Sequence, residues 1–359
     1  MRVRPALFLS AAALMICAPG AAQQPAATAA AADHAPFVAS DAAKVIDATA
    51  TALEENFVFP EVGTRYAAAL RAKLAAGGYA RFANAAEFAK AVTADLQAVH
   101  SDRHLKLLPP QTGEAASGAA TPRRPNMPRN AVTRSGWIAP EVAYIAFAAF
   151  PGNAETLAAV SAFLASHASA KTLIIDARQH RGGGLAEMDL MFARLFAKET
   201  ALVRMDTRLS VDQRDGSPND EGATLVRVGG PATVVRREHR AVPAAAATPL
   251  GSAKVYLLTS NRTASAGEHL SLSLKRTGRA TLIGETTRGA GHYGGVVPVG
   301  SGYGAWIPVG RTFDPDTGKG WETVGVSPHK AVPAEQALDE ALRMAGLSVD
   351  GKVALAALK

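Results

Sequence analysis

Between Gly136 and Ile283 the chain switches repeatedly between short apolar runs of strand length and longer stretches whose apolar residues recur at three- and four-residue steps. VAYIAF precedes ETLAAVSAFLASHA, and TLIIDA precedes LAEMDLMFARLFA. After an irregular, polar region near residues 205–250 the pattern resumes with VYLLTS, GEHLSLSLKRTG and ATLIG. A strand reached through a helical crossover lies parallel to its predecessor, so this order predicts an α/β domain with a largely parallel sheet. In such sheets reacting groups collect at the carboxyl ends of strands. Three polar clusters qualify: SDRH, DARQHRGGG and TSNRTASAGE.

Ahead of that domain, AAKVIDATATALEENF, TRYAAALRAKLAAGG and AAEFAKAVTADLQAVH carry the helical period and predict a small bundle, with RHLKLL as a following strand. The first residues combine Arg2 and Arg4, an apolar run from Ala6 to Ala18, and small residues at Gly20 and Ala22, the pattern of a cleaved secretory signal. The run is shorter than the roughly 20 residues that span a bilayer. The expected organisation is a signal peptide over 1–22, a flexible linker over 23–41, a helical domain ending in a strand over 42–108, a Pro- and Gly-rich linker over 109–135, the α/β catalytic domain over 136–345 and a C-terminal tail over 346–359. The expected location is periplasmic or extracellular, with no membrane span.

Cys17 is the only cysteine and lies inside the signal, behind Ile16 rather than the small residue a lipid anchor requires. The mature chain therefore has no disulfide framework, thiol nucleophile or thiolate metal site. Of the net charge of +7, two come from Arg2 and Arg4, and the remaining basic residues are scattered without an aromatic-rich stripe. Nucleic acid is not an expected partner.

Ser265 follows the strand-like VYLLTS at the mouth of a predicted helix, where free N–H groups and the helix dipole favour developing negative charge. Ser265 and Glu268 also spell S-x-x-E, a capping box that needs no catalytic role. Gly182, Gly183 and Gly184 follow a buried strand. They suit either a tight turn or half of an oxyanion hole completed by the N–H of Ala266. Asp176 and Arg178, on the same turn, read as a structural pair. His100, Asp102 and His104 alternate, which in a strand puts all three on one face and suits a metal site or a catalytic base. A third metal ligand is missing from the local sequence, so the expectation is a base and no metal.

Together these segments resemble the tail-specific, or C-terminal processing, serine protease family, in its branch related to interphotoreceptor retinoid-binding protein and the tricorn core. The matches are the D-x-H motif at Asp102–His104, the D-L-R-x-N-x-G-G-like segment at Asp176–Gly183, and the T-S-x-x-T-x-S-A-x-E segment at Thr259–Glu268. GRATLIGETTRGAGH and WETVGVSPHKAVPAEQALDEAL extend the likeness. Two positions depart from it: Ala290 stands where a Ser/Lys-dyad member has its lysine, and His180 replaces the asparagine. The segment between Leu108 and Trp137 is too short for a peptide-binding PDZ domain.

The resemblance implies a crotonase-like spiral α/β catalytic domain behind a small N-terminal helical bundle. It implies a serine-type peptidase without cofactor, acting on peptides or unfolded proteins. Ser265 would be the nucleophile, His104 its base, Glu322 the group orienting the imidazole, and the N–H groups of Gly183 and Ala266 the oxyanion donors. His292, in the loop that lost the lysine, is the alternative base. A non-catalytic binding module for an apolar ligand or peptide is the alternative function.

Overall fold

Apolar residues on one helical face dictate how the N-terminal segment folds. In α1 (Ala39–Asn56), Val45, Ile46, Thr49, Ala50 and Leu53 are fully buried, spaced to form a single stripe. Pro60 opens α2 (Pro60–Ala75) at a position where its missing N–H costs nothing. Asn84 caps α3 (Ala85–Val99) by accepting the Glu87 N–H at 2.9 Å. The computed structural model describes residues 35–111, 129–217, 219, 221–246 and 248–358. The predicted signal peptide, most of the linker after it and most of the 109–135 linker lie outside the described residues.

Beyond α3 come β1 (Lys106–Leu108), β2 (Val132–Ala139), β3 (Val142–Phe147), α4 (Ala154–Ser166), β4 (Thr172–Asp176), α5 (Ala186–Leu195), β5 (Thr200–Arg208), α6 (Leu209–Asp215), β6 (Leu225–Val228) and β7 (Val234–Ala241). The chain continues through β8 (Lys254–Thr259), α7 (Ala266–Arg276), β9 (Thr281–Gly284), β10 (His292–Gly300), β11 (Tyr303–Phe313), β12 (Lys330–Ala331), α8 (Ala337–Met344) and α9 (Gly351–Ala356). Two sheets result. One runs β12-β9-β8-β4-β3-β2, parallel from β3 to β12 with β2 antiparallel at its edge. The other is antiparallel, in the order β1-β11-β5-β7-β6 with β10 also on β11.

The parallel sheet is covered on both faces, which is why its strands read as unbroken apolar runs. Leu173 and Ile175 face the core built with α4, α5 and α7, while Ile174, between them, faces the core built with α8. Truncating any of the three to alanine would cost about 2–5 kcal/mol. The region near 205–250, expected to be irregular, supplies β5 to β7 of the second sheet instead. Its charges pair between elements, Arg236 of β7 with Asp206 of β5 at 2.6 Å and the buried Arg237 of β7 with Asp212 of α6 at 2.6 Å, so polar composition there does not mean loop.

The helices do not form a core of their own. Ile46, Leu53 and Phe88 share one apolar cluster with Val299, Tyr303 and Ile307 of the second sheet, and Arg208 donates to the Phe57 carbonyl at 2.7 Å. Residues from the 42–108 segment therefore fold against the α/β part within one compact unit. The C-terminal residues expected to be a tail carry α9, capped by Asp350. No helix of the described residues is long and apolar enough to cross a membrane.

Candidate active site

Ser265 takes the N-cap position of α7 with φ 54° and ψ −114°. A positive φ at a residue with a Cβ costs about 1–3 kcal/mol and persists only where the surroundings enforce it. Here they do. Ala264 N–H donates to the His180 carbonyl at 2.9 Å, Thr263 Oγ1 to the Ala177 carbonyl at 2.8 Å and Ser260 Oγ to the Arg178 carbonyl at 2.6 Å. The loop before Ser265 is thus tied to the turn after β4.

Glu268 holds the other side. Its buried carboxylate accepts from the N–H groups of Ser265 at 2.8 Å, Gly289 at 2.6 Å and Ala290 at 2.8 Å, and from Thr287 Oγ1 at 2.6 Å. Burial raises this carboxyl above its usual range, and the four donors oppose the shift. The S-x-x-E spacing therefore gives half of a capping box, the Ser265 N–H on Glu268, while the Glu268 N–H donates to the Ser265 carbonyl at 2.8 Å; the same carboxylate joins the helix entrance to the loop before β10.

Gly182 and Gly183 have φ of 111° and 136°, and Gly183 bridges to Phe150. A Cβ on Gly183 would lie 1.9 Å from the Phe150 carbonyl oxygen, so only glycine fits. Gly184 N–H donates to that oxygen at 2.7 Å, and Phe150 N–H donates to the Gly182 carbonyl at 2.9 Å. Among the described residues, the Gly183 and Ala266 N–H groups donate to no acceptor. The turn is supported from below by His180, which accepts the Gly182 N–H on Nδ1 at 3.1 Å. Burial depresses His180 to about 3, so its ring is neutral and Nε2 carries the proton.

His292 opens β10. Its Nδ1 lies 2.6 Å from Asp102 Oδ2, and the ring stands edge-on to Phe59, centroids 5.6 Å apart. Burial alone would raise Asp102. The hydrogen bond and charge of His292, with the N–H groups of His104 and Leu105 on Oδ1, outweigh it and hold the carboxyl below its usual range. Those two N–H bonds bend the chain into a turn. His100, Asp102 and His104 consequently do not alternate on a strand face as the sequence pattern suggested.

His104 goes elsewhere. It stacks on Trp306 with centroids 4.7 Å apart, its Nδ1 is buried without a partner among the described residues, and burial depresses it to about 4. Glu322 accepts N–H bonds from Arg103 at 2.7 Å, Gly291 at 2.5 Å and His292 at 3.0 Å. It grips the backbone around His292 and bonds to neither imidazole ring. Ligand atoms of Asp102, His104 and Glu322 do come within 4.8 Å of one another. Both carboxylates already accept at least three N–H bonds each, which makes the cluster a hydrogen-bond network in its own right.

Ser265, Ala266, Gly183 and His292 line one small pocket, together with Leu185, Met205, His269 and Trp321. His104 is not among its walls. A wider cleft lined by Tyr144, Asp176, Arg178 and Glu285 lies at the other polar cluster. There Arg178 is spent on Asp176, at 2.6 Å, and on the Ala334 carbonyl. Sequence reasoning passed over Asp102 as the partner of His292 and the clamp made by Glu268. Asp102 and His292 are 190 residues apart, and no local spacing signals their meeting.

Comparison with known proteins matches residues 141–332 to Peptidase family S41, and residues 30–137 to the N-terminal domain of Peptidase_S41 in eukaryotic IRBP. Among solved structures, the photosystem II D1 C-terminal processing protease aligns over 89% of this chain and 100% of its own, at 17% identity and a TM-score of 0.54. A putative peptidase from Parabacteroides merdae aligns over 88% of this chain and 96% of its own, at 14% identity and a TM-score of 0.53. At those identities the likeness speaks for the fold, a mixed α/β catalytic domain with helices ahead of it. The family model covers more than half of the chain, and the chain belongs to peptidase family S41.

Proposed function

We propose that this peptidase is of the serine type, with Ser265 as nucleophile and His292, held by Asp102, as base. One observation carries the reading: the strained Ser265 and the Asp102-bonded His292 open onto the same small pocket. Ionised Asp102 accepts the Nδ1 proton of His292, which leaves Nε2 bare as a proton acceptor. Ser265 Oγ then attacks the peptide carbonyl while His292 takes the hydroxyl proton. The new oxyanion is stabilised by the Gly183 and Ala266 N–H groups at the positive end of α7. His292 returns the proton to the departing amine, and water hydrolyses the acyl-enzyme by the same route reversed. Glu322 positions the His292 backbone. His104, stacked and desolvated, is not needed for proton transfer in this scheme. The signal-like N-terminus supports action outside the cytoplasm, and the family match supports peptides or unfolded proteins as substrates.

The test is incubation of the mature protein, beside Ser265→Ala, with an unfolded protein and a peptide library, products being read by mass spectrometry. Cleavage by the wild type alone is expected. A folded wild type that cleaves nothing and resists a serine-reactive phosphonate would replace this reading with a binding module on the same fold.

A further inference from the structure

A second histidine chain ends in the Ser265 pocket. Asp189 Oδ1 lies 2.8 Å from His239 Nε2, and His239 Nδ1 lies 2.8 Å from His269 Nε2. His239 is fully buried, His269 is 4% exposed and lines the pocket, and Thr224 Oγ1 donates to the second Asp189 oxygen at 2.9 Å. The direction of this chain is fixed from its far end. A carboxylate only accepts, so a neutral His239 bears its proton on Nε2 and offers Nδ1 as an acceptor. His269 must then donate through Nε2, which leaves its Nδ1 bare. Among the described residues no donor meets that nitrogen. Trp321 lines the same pocket, and its indole N–H is buried with no acceptor among the described residues. Leu185 and Met205 supply apolar wall.

Resting on the peptidase reading, we infer that this corner is the subsite for the residue on the acyl side of the cleaved bond, and that it selects a small uncharged side chain bearing a hydroxyl or carboxamide. Such a group donates to His269 Nδ1 and accepts from the Trp321 N–H, whereas an isosteric apolar side chain leaves both unpaired. Asp189, outside the pocket, is a positioning residue that sets which way His269 points its proton.

The experiment uses the Ser265→Ala protein, so that recognition is read apart from chemistry. Two peptides identical except for Thr or Val at that residue are titrated by calorimetry. Thr is expected to bind about tenfold tighter, the size of one well-made hydrogen bond. Equal or weaker binding overturns the subsite. Adding Asp189→Asn should shrink the ratio severalfold, since a carboxamide no longer enforces the direction, and an unchanged ratio removes Asp189 from the account. In wild type, long-range nitrogen-15 spectra should report the proton of His269 on Nε2, and a proton on Nδ1 overturns the proposal without any variant. Cleavage by the wild type bears on the peptidase reading alone.

Discussion

Asp102 and His292 meet at 2.6 Å across 190 residues of sequence, and each is buried where they meet. Asp102 arrives on the turn after α3, pinned by Gln97, whose Oε1 accepts the Asp102 N–H at 2.9 Å. His292 arrives at the start of β10, its N–H held by Glu322. Two independent supports thus aim a carboxylate at one ring nitrogen.

Asp102→Asn should lower kcat by about 10³–10⁴, because the amide favours the wrong His292 tautomer while occupying the same volume. His104→Phe should leave kcat within about tenfold of wild type. Steady-state cleavage of one peptide by both variants separates the two histidines, and the reverse ranking would return the base to His104.

Ser265→Gly and Ser265→Ala should both be inactive yet differ in stability. Alanine keeps a Cβ at φ 54°, whereas glycine relieves that strain. Urea unfolding should therefore find the glycine variant the more stable by about 1 kcal/mol, although glycine loses more backbone entropy on folding. Greater stability of the alanine variant would mean that Ser265 is not strained.

Acid should destabilise the fold in a defined window. His104 and His180 are depressed to about 4 and about 3, so the unfolded chain binds their protons first. Their contribution is complete above the ordinary histidine value near 6.5 and is lost as pH falls from there toward the depressed values. Each should account for about 2 kcal/mol between pH 7 and pH 5. Asp102, held low, adds a further loss only below the usual carboxylate range. Urea midpoints across that interval should flatten in His104→Phe, and an unchanged slope would show that His104 is not buried neutral.

Gly183→Ala should reduce phosphonate labelling by about 10²-fold or more, the size of losing one oxyanion donor. The added methyl would sit 1.9 Å from the Phe150 oxygen and lever the turn away from Ser265. Full labelling would place the oxyanion elsewhere.

The parallel sheet was legible because burial on both faces writes itself as continuous apolar runs such as TLIIDA. The antiparallel sheet was not. VVRREHRA in β7 reads as a charged loop until Asp206, Asp212 and Glu221 are known to face its arginines. Ser265 and Gly183 were readable because local rules, a helix entrance and a glycine-only turn, mark both. The motif at Asp102–His104 marks a turn whose Asp102 meets His292. Its alternation suggested a strand, whereas the Asp102 carboxylate bends the backbone by accepting two N–H groups, and that outcome depends on β10 delivering His292. Asp189, His239 and His269 sit on α5, β7 and α7, and only the assembled core aligns them.

Glu268 and Asp102 also constrain when such a site can exist. One carboxylate closes only after α7 and the loop before β10 have met, the other only after the N-terminal helices have docked on β10 and β11. A partly emerged or partly folded chain holds Ser265 without an Asp102-partnered His292, so under the proposed mechanism proteolytic competence would arrive only with the docked helices, and loss of the helical segment would silence the molecule without touching Ser265.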